Sequence, residues 1–563
     1  MNKWKRGLAL LLAAAMSLAL FSGCGQSGEA LSLSVCAGGP PEELDPIYAD
    51  STSDRTILVH LYEGLMRRSV SASGEVSVTN GAAQSVSQEE NADGTVTCTF
   101  QLRGEWSDGR DLRAEDFVYA WQRLADPAND APEAALLSVV AGYDDVRQTG
   151  DVTALQVTAE DAHTLTVVLN GTYSWFLSEV CTAPATVPLR QDLMPAVEAE
   201  EDASADGAET DAEEDRQEEP WWSDVTALVT NGPYQVSAYT AGESLTLAAS
   251  DHYHEDLTGP ETLTFRFAET AEEGQELYDA GEVDFLADVP EERLAALIGE
   301  ESPDLTPRAE VWTVLFNCGQ DVLSDPLVRR ALSLAVDRSA AAAAAGAAAL
   351  PAEGLVPWGV PESAEADFRT TGGALLDNDP DHRGDVLSEA RRLLREAGYL
   401  NAEDLGPLEY LYVDEGPAAA VARTLTETWE SALGITVTAR AVTEEELDAA
   451  LRDGTFSLAG AELRPMGCDA ACYLMPWGSD REENAARYAN SAYDTLLGVI
   501  AGAADEMARL GCLHDAEVLL LEDAALAPLY SEVTAWELRD GLTGVCRDGR
   551  GWFSFASVVR LSA

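Results

Sequence analysis

The sequence predicts an α/β protein with mixed sheets, divided into more than one domain. At 563 residues the chain exceeds what one hydrophobic core usually organises, so we expect two to four domains. Segments with strand alternation and segments with helical periodicity follow one another along the chain. Between residues 408 and 442 they come in the order strand, helix, strand, which predicts a βαβ unit and therefore a partly parallel sheet.

The N-terminus predicts an export signal over residues 1–23. A basic start precedes an apolar stretch from about Leu8 to Phe21, which is too short to span a bilayer. The end of this region resembles a bacterial lipobox, in which Cys24 is lipidated after cleavage, and a polar linker over 24–30 follows. Ordinary cleavage with a free Cys24 is the alternative. Lipidation predicts an exported protein anchored at the outer face of the cell membrane.

The first part of the exported chain predicts strands and helices in alternation. "LSLSV" at 31–35 alternates like a strand, and "DRTILVHLYEGLMRRS" at 54–69 has helical spacing of its apolar residues. "TVTCTFQLR" at 95–103 predicts a strand. Residues 111–127 then predict an amphipathic helix with acids in its first turn. We interpret those acids as cap and solvated face, because nothing in the sequence holds two of them across a cleft.

Residues 196–220 form a strongly acidic segment. They contain twelve acids and one arginine, and Val197 is the one large apolar residue. Such a segment cannot bury enough apolar surface to offset its ordering entropy, so we predict a disordered surface insertion. A calcium site is the alternative, but the spacing matches no EF-hand loop.

The second half of the chain continues the α/β pattern. Residues 229–250 predict two strands joined by a glycine turn, and residues 263–269 and 311–318 predict one strand each. The alanine-rich stretch "LVRRALSLAVDRSAAAAAAGAAAL" at 327–350 predicts one long helix. "LSEARRLLREAGY" at 387–399 predicts a second helix, which ends at a glycine.

The charge balance excludes one class of partner. Asp and Glu number 99 against 35 Lys and Arg, a formal net charge of −64. Nucleic-acid binding depends on cationic neutralisation of phosphates, so nucleic acid is excluded as a partner. A broad electrostatic hold on anionic lipid is disfavoured for the same reason.

Cysteines and histidines give no strong signal for a metal or for catalysis. Cys468 and Cys472 are the favoured local disulfide, with a soft-metal site or buried thiols as alternatives. His252 and His254 could share a strand face as metal ligands, but an ordinary strand end is favoured. The chain has no HExxH, no GxSxG and no phosphate-binding glycine loop, so we predict no cofactor, no metal and no enzymatic activity. The other cysteines after Cys24 are Cys36, Cys98, Cys181, Cys318, Cys512 and Cys546.

Several segments together resemble the family 5 extracellular solute-binding proteins of bacterial ABC importers, which include oligopeptide- and dipeptide-binding proteins. The most specific is "TFQLRGEWSDGRDLRAEDFVYAWQRLADP" at 99–127, in which the family's Trp-Ser-Asp-Gly run is structural. Five further segments follow the family's order: "LDPIYADSTSDRTILVHLYEGL" (44–65), "TNGPYQVSAY" (230–239), "YDAGEVDF" (278–285), "FNCGQDVLSDPLVRRALSLAVDR" (316–338) and "ARRLLREAGY" (390–399). "APLY" at 527–530 closes the series.

The resemblance implies a two-lobed, class II periplasmic-binding-protein-like fold with a hinge and the extra domain of oligopeptide-binding proteins. Closure of the lobes around the ligand is the expected mechanism. By this analogy the chain divides into domain I at 31–66, 186–290 and 525–563, domain II at 67–185, and domain III at 291–524. The acidic insertion lies within domain I.

The resemblance also implies ligand contacts. Family members hold peptides largely by strand addition, with one strand after the LDP turn, here Asp50, Ser51 and Thr52. A domain III loop supplies a Gly-Trp pair, an acid that binds the ligand's amino group, and a second acid. Ungapped counting places these at Glu462-Leu463, Met466 and Asp469, and an aromatic contact of domain II falls at Glu133.

The amine-binding position is therefore occupied by a residue without charge. A buried amine needs a partner charge that Met466 cannot supply, so Asp469 or Glu462 must substitute, and we predict Asp469 because it keeps the family register. The alternative is an apolar pocket floor of Met466, Leu463 and Tyr473 for an uncharged ligand.

These observations predict a monomeric substrate-binding lipoprotein of an ABC importer. It captures a small solute, most simply a peptide, and delivers it to the permease. Two alternatives stay open from sequence: a sensor or surface-interaction lipoprotein that kept the fold without transport, and a secreted hydrolase on a two-lobed scaffold. The residues alone do not name the ligand.

Overall fold

The computed structural model describes residues 31–70, 76–173, 175–194, 220–300, 305–362, 366–465, 467, 469–481, 483–503 and 506–561. The signal peptide, the Cys24 lipobox and residues 196–219 of the acidic segment lie outside the described residues. Over the part of the chain that is described, no helix is long and apolar enough to cross a membrane.

The helices and strands follow one another as an α/β chain. The α-helices are α1 Thr52–Leu61, α2 Ala114–Ala125, α3 Tyr143–Thr149, α4 Ala271–Asp279, α5 Glu291–Gly299, α6 Pro326–Ala335, α7 Arg338–Ala345, α8 Phe368–Gly372, α9 Arg383–Glu396, α10 Ala418–Leu433, α11 Glu444–Asp453, α12 Ala471–Leu474, α13 Ser491–Gly502 and α14 Glu506–Glu522. The longer strands are β1 Ser32–Cys36, β2 Met66–Val70, β3 Val76–Asn80, β4 Ala83–Glu90, β5 Val96–Leu102, β6 Val157–Asp161, β7 Thr164–Leu169, β8 Tyr234–Thr240, β9 Ser244–Ala249, β10 Thr262–Arg266, β11 Phe285–Leu286, β12 Leu305–Phe316, β13 Ala349–Pro351, β14 Leu408–Val413, β15 Val437–Val442, β16 Leu458–Leu463, β17 Leu526–Ala535 and β18 Glu537–Leu538. Short strands close the chain: β19 Leu542–Thr543, β20 Cys546–Arg547, β21 Phe553–Ser554 and β22 Val559–Arg560.

Two six-stranded mixed sheets dominate the architecture. The first sheet has the order β18-β11-β1-β10-β9-β8, with β1 parallel to both β10 and β11. The second has the order β13-β17-β12-β16-β14-β15, with β14 parallel to β15 and β16. A separate antiparallel sheet, β4-β5-β7-β6, packs beside the first. The predicted α/β class with mixed sheets and the predicted parallel βαβ unit are confirmed.

The hydrophobic cores follow the sheets. One core joins the first sheet to the four-stranded sheet and includes the fully buried Trp106 and Trp121. The two faces of the second sheet carry separate cores, one beneath α14 and one beneath α6, α9 and α10. The predicted amphipathic helix is α2, whose Asp116 accepts hydrogen bonds from the Trp106 ring and from the Arg113 backbone. Asp116 therefore has a structural role, as the sequence predicts for the acids of this helix.

Two helix predictions are wrong in their extent. The helix predicted over 54–69 ends at Leu61, because Tyr62 is extended and Met66–Val70 pairs with β3 as a strand. The long alanine-rich helix is two helices. Asp337 begins the second as its N-cap, accepting a hydrogen bond from the Ala340 amide at 3.0 Å.

The second sheet receives its strand β17 from residues 526–535. This strand pairs with β12 and β13, and the next strand, β18, pairs with β11 of the first sheet. The chain therefore crosses between the sheets near residue 536, later than the predicted boundary at 525. The division into domains I, II and III as a whole stays a prediction.

In the described part of the chain the cysteines are free thiols. Cys472 forms no disulfide there, and its proposed partner Cys468 lies outside the described residues, so that pairing stays a prediction. Burial raises the pKa of Cys472 well above its usual range. The remaining free thiols are those of Cys36, Cys98, Cys181, Cys318, Cys512 and Cys546.

Candidate functional site

A cleft of about 470 Å³ lies between the second sheet on one side and the start of α1 and the C-terminal segment on the other. Strands β12, β16 and β17 supply its floor, and the segment 547–553 supplies much of the opposite wall. The lining carries charge of both signs. Its carboxylates are those of Asp50, Glu133, Asp288, Glu310, Glu462 and Glu532, and its guanidinium groups are those of Arg55, Arg308, Arg464, Arg547 and Arg550.

The floor is one face of three neighbouring strands. Trp312 on β12 lies opposite Glu462 on β16 and opposite Tyr530 on β17, so these side chains share a face of the sheet. The Trp312 and Tyr530 rings stack with centroids 6.0 Å apart. Alternation along the strands brings Glu310 and Glu532 to the same cleft, which both residues line. We call Glu310, Glu462 and Glu532 the acidic floor.

The acidic floor has more negative charge than it has partners. Glu462 accepts hydrogen bonds from Arg464, at 2.9 Å from Nε and 2.7 Å from Nη2. Within the described part of the chain, Glu310 and Glu532 form no ion pair. Burial raises the pKa of Glu532, the nearby Arg308 opposes that rise, and the charges of Glu462 and Glu310 add to it. Such a floor favours a cation.

The opposite wall holds its charges in pairs. Arg55 Nη2 lies 2.9 Å from Glu133 Oε1, and Arg550 Nη1 lies 3.4 Å from the same oxygen. The Arg550 guanidinium also packs over the Trp552 ring, 4.4 Å from its centroid. Glu133 lines the cleft, but its carboxylate is engaged by two arginines, and its predicted contact with the ligand stays a prediction.

The residues after the LDP turn, predicted as a strand, instead form the start of α1. Asp50 is exposed and lines the cleft together with Thr52. Ser51 does not line the cleft, because its hydroxyl caps α1 by accepting a hydrogen bond from the Asp54 amide at 3.0 Å. A helix N-cap fixes this backbone, so the segment presents its side chains to the cleft from a rigid support.

The structure argues against Asp469 as the charge that replaces the lost acid. Asp469 Oδ1 lies 2.5 Å from Arg509 Nη2 and accepts a hydrogen bond from the Ala471 amide at 2.7 Å. Its carboxylate thus holds α14 and the start of α12 together, and it does not line the cleft. Glu462, the other acid considered, does line it.

The predicted apolar floor is also wrong for the two members that the structure describes. Leu463 points to the opposite face of β16 from Glu462 and packs against the core under the sheet. Tyr473 is buried in that core and donates a hydrogen bond to the Ala309 carbonyl at 2.8 Å. Met466 lies outside the described residues.

Sequence reasoning missed most of the charged lining. Alternation within the predicted strand at 311–318, extended backwards, places Glu310 and Trp312 on one face. The same alternation after "APLY" places Tyr530 and Glu532 together. The arginines of the C-terminal segment carry no such signal, because Arg547 belongs to a strand of only two residues and Arg550 lies in the turn that follows it.

The two histidines that the sequence analysis considers as metal ligands each pair with a glutamate. His254 Nε2 lies 2.5 Å from the buried Glu63 carboxylate, and His252 Nδ1 lies 3.0 Å from Glu105. Over the described ranges, no group of three or more His, Cys, Asp or Glu side chains could hold a metal ion.

A further cavity of about 290 Å³ lies beside β2, away from the cleft. Its arginines are neutralised by neighbouring acids: Arg67 Nη1 lies 3.1 Å from Glu63, and Arg68 Nη2 lies 2.8 Å from Glu179. Both arginines of this cavity are therefore already engaged in ion pairs.

Comparison with known proteins finds one matching family and several relatives. A sequence model described as bacterial extracellular solute-binding proteins, family 5 middle, matches residues 77–485. The chain is 29% identical over 505 residues to a probable deoxycholate-binding periplasmic protein of Escherichia coli, covering 87% of this chain and 86% of that protein. It is 27% identical over 517 residues to the periplasmic oligopeptide-binding protein of Escherichia coli, covering 88% of this chain and 86% of that protein.

Solved structures match over almost the whole chain. An unliganded open form of a periplasmic murein tripeptide binding protein has a TM-score of 0.72 and 23% identity, covering 95% of this chain and 98% of that chain. The Haemophilus influenzae oligopeptide-binding protein in complex with RPPGFSPFR has a TM-score of 0.65 and 23% identity, covering 95% of this chain and 100% of that chain. This likeness confirms the predicted two-lobed fold.

Proposed function

The chain belongs to the bacterial extracellular solute-binding proteins of family 5, and from that premise we propose that it captures a peptide in the charged cleft and delivers it to an ABC importer. The capture step is closure of the lobes around the ligand. The relatives named for oligopeptides and murein peptides support a peptide as the solute. Peptides carry both an ammonium and a carboxylate, which suits a cleft lined by both carboxylates and guanidinium groups.

The observation that carries this proposal is the acidic floor. With Met466 in place of the expected acid and Asp469 engaged by Arg509, the charge for the ligand's amino group must come from elsewhere. Glu462 lines the cleft beside Glu310 and Glu532, and the last two form no ion pair within the described residues. We assign the ligand's ammonium group to this floor. Asp50 and Thr52 line the neighbouring part of the cleft.

The experiment compares a peptide with its N-acetylated form. Native mass spectrometry of the purified protein first identifies a retained ligand, and calorimetry then measures a tripeptide with a free or acetylated amino group. Acetylation is expected to weaken binding by at least tenfold, about 1.4 kcal/mol. Glu462→Gln should reduce that difference, whereas Asp469→Asn should leave it unchanged. Equal affinity for both forms, or binding of deoxycholate with no peptide binding, would overturn the proposal.

We also propose that Cys24 carries a lipid anchor, which places the protein on the outer face of the cell membrane. The lipobox-like sequence and the preceding signal peptide support this assignment. Cys24→Ser should move the protein from the membrane fraction to the soluble extracytoplasmic fraction. Retention of that variant in the membrane fraction would exclude lipidation of this residue as the anchor.

A further inference from the structure

Arg464 is a cation of the protein itself that already binds one acid of the acidic floor, Glu462. It follows β16 by one residue and stands two positions after Glu462, with which it shares the cleft. Both of its contacts to Glu462 use the same carboxylate oxygen, Oε2, at 2.9 and 2.7 Å. The Arg464 side chain is 75% exposed, and the Glu462 side chain is 23% exposed. The arginine therefore covers the carboxylate from the open side of the cleft.

The electrostatics of Arg464 point to the same group of acids. The Glu462 carboxylate raises the pKa of Arg464 most strongly, and the charges of Glu310 and Asp50 act in the same direction. The other arginine near the floor, Arg308, has its ion-pair contact with Asp288, at 3.5 Å. Arg464 is thus the guanidinium that is paired with Glu462 before a ligand arrives.

An arginine held in this way is easily displaced. Exposed ion pairs contribute little to stability, since water screens them and a long side chain loses freedom when it is fixed. A ligand cation that enters a closing cleft is drier, and its interaction with the same carboxylate is correspondingly stronger. The exchange leaves Arg464 free to turn to solvent through its exposed side.

We propose that Arg464 is an internal counter-ion of the acidic floor, which a cationic group of the ligand displaces from Glu462 on binding. The inference rests on the proposed function, because it takes the ligand's ammonium to bind this floor. It makes Arg464 a determinant of specificity. The arginine lowers affinity for ligands that bring an ammonium group to Glu462, because the ammonium must displace it, and it does not change affinity for ligands without a cation.

The test removes the charge at position 464 and compares three peptides. Calorimetry measures Ala-Ala-Ala, Lys-Ala-Ala and N-acetyl-Ala-Ala-Ala with wild type, Arg464→Gln and Arg464→Lys. Arg464→Gln should bind the two free-amine peptides at least threefold more tightly than wild type and the acetylated peptide no more tightly. Arg464→Lys keeps the charge and should behave like wild type.

The matched control is Arg440→Gln. Arg440 lies on β15 of the same sheet, pairs with Glu409 at 3.1 Å, and does not line the cleft. It removes the same charge from the same lobe and should change no affinity by more than twofold. An equal gain in Arg440→Gln would show a long-range field effect and overturn the inference.

Two outcomes separate the possible failures. If wild type binds the free-amine peptides and Arg464→Gln binds them equally or more weakly, the counter-ion role is wrong while the proposed function stands. A weaker Arg464→Gln whose loss disappears with C-amidated peptides would instead assign Arg464 to the ligand's carboxylate. If wild type binds no peptide of the panel, the proposed function fails, and this inference fails with it.

Discussion

At the scale of single residues, the cleft combines acids that are satisfied with acids that are not. Glu133 is held by Arg55 and Arg550, whereas Glu532 forms no ion pair among the described residues. Partial burial of an ionised carboxyl without a partner is unfavourable, so the group shifts towards its neutral form. Its pKa is raised by burial and by the neighbouring carboxylates of Glu462 and Glu310. A ligand cation would supply the missing charge partner and offset the repulsion between the carboxylates.

The pH dependence of binding follows from the sign of this shift. Because the pKa of Glu532 in the free protein lies above its ordinary value, lowering the pH protonates this group before an ordinary glutamate. Binding of an ammonium group requires the ionised form, so affinity should fall as the pH drops through that raised pKa. Glu532→Gln should show lower affinity at neutral pH and a flatter profile above the ordinary glutamate range.

Calorimetry of Ala-Ala-Ala between pH 4.5 and 8 would measure this profile, and N-acetyl-Ala-Ala-Ala serves as the ligand control. An exposed acid of the same lobe, Glu409, gives the matched variant Glu409→Gln, which should keep the wild-type profile. A Glu532→Gln profile that parallels wild type would contradict a role for this carboxyl in cation binding.

At the scale of elements, the sequence predicts where helices and strands lie better than it predicts where they break. Most strands and helices were predicted because alternation and helical spacing depend on burial of one face. The break between α6 and α7 was missed, since the capping role of Asp337 becomes visible only with the backbone geometry. The site shows the same limit. Family register placed Glu462 in the cleft, but the pairing of Asp469 with Arg509 spans 40 residues and has no local signal.

A second ion pair between residues distant in sequence supports a prediction on stability. Glu517 of α14 is fully buried, and its Oε1 accepts hydrogen bonds from the Leu355 and Val356 amides at 2.8 and 2.9 Å. Its carboxylate also pairs with the buried Arg369 at 2.5 Å. Glu517→Gln leaves the arginine without a counter-charge. Removing one member of a buried pair costs about 3–5 kcal/mol, so urea denaturation should show a loss of that order.

Glu522→Gln is the control, because this exposed acid ends the same helix and should change stability by less than about 0.5 kcal/mol. Hydrogen exchange at the Leu355 and Val356 amides locates the effect. A Glu517→Gln protein as stable as wild type would show that the loop at 352–356 does not depend on this ion pair.

At the scale of the whole molecule, the cleft depends on how the lobes meet. The π-helical turn Phe176–Val180 approaches the second lobe at Gly467. Trp175 packs against the core of the first sheet and against the core beneath α14. A Cβ atom at Gly467 would lie 2.8 Å from Glu179 Oε2, so the two lobes are in close contact here.

We therefore expect Trp175 to influence the equilibrium between open and closed forms. An aromatic side chain that buries surface on both lobes holds them together, so its removal should loosen their contact. Trp175→Ala should increase the radius of gyration of the ligand-free protein in small-angle X-ray scattering and weaken ligand binding by about tenfold, or 1.4 kcal/mol. Trp222→Ala is the matched control, because Trp222 is half-buried and packs against the first core alone among the described clusters. That variant should lose some stability yet keep the wild-type radius and affinity. If Trp175→Ala also kept both, the contact between the lobes would be a consequence of closure and would not help to determine it.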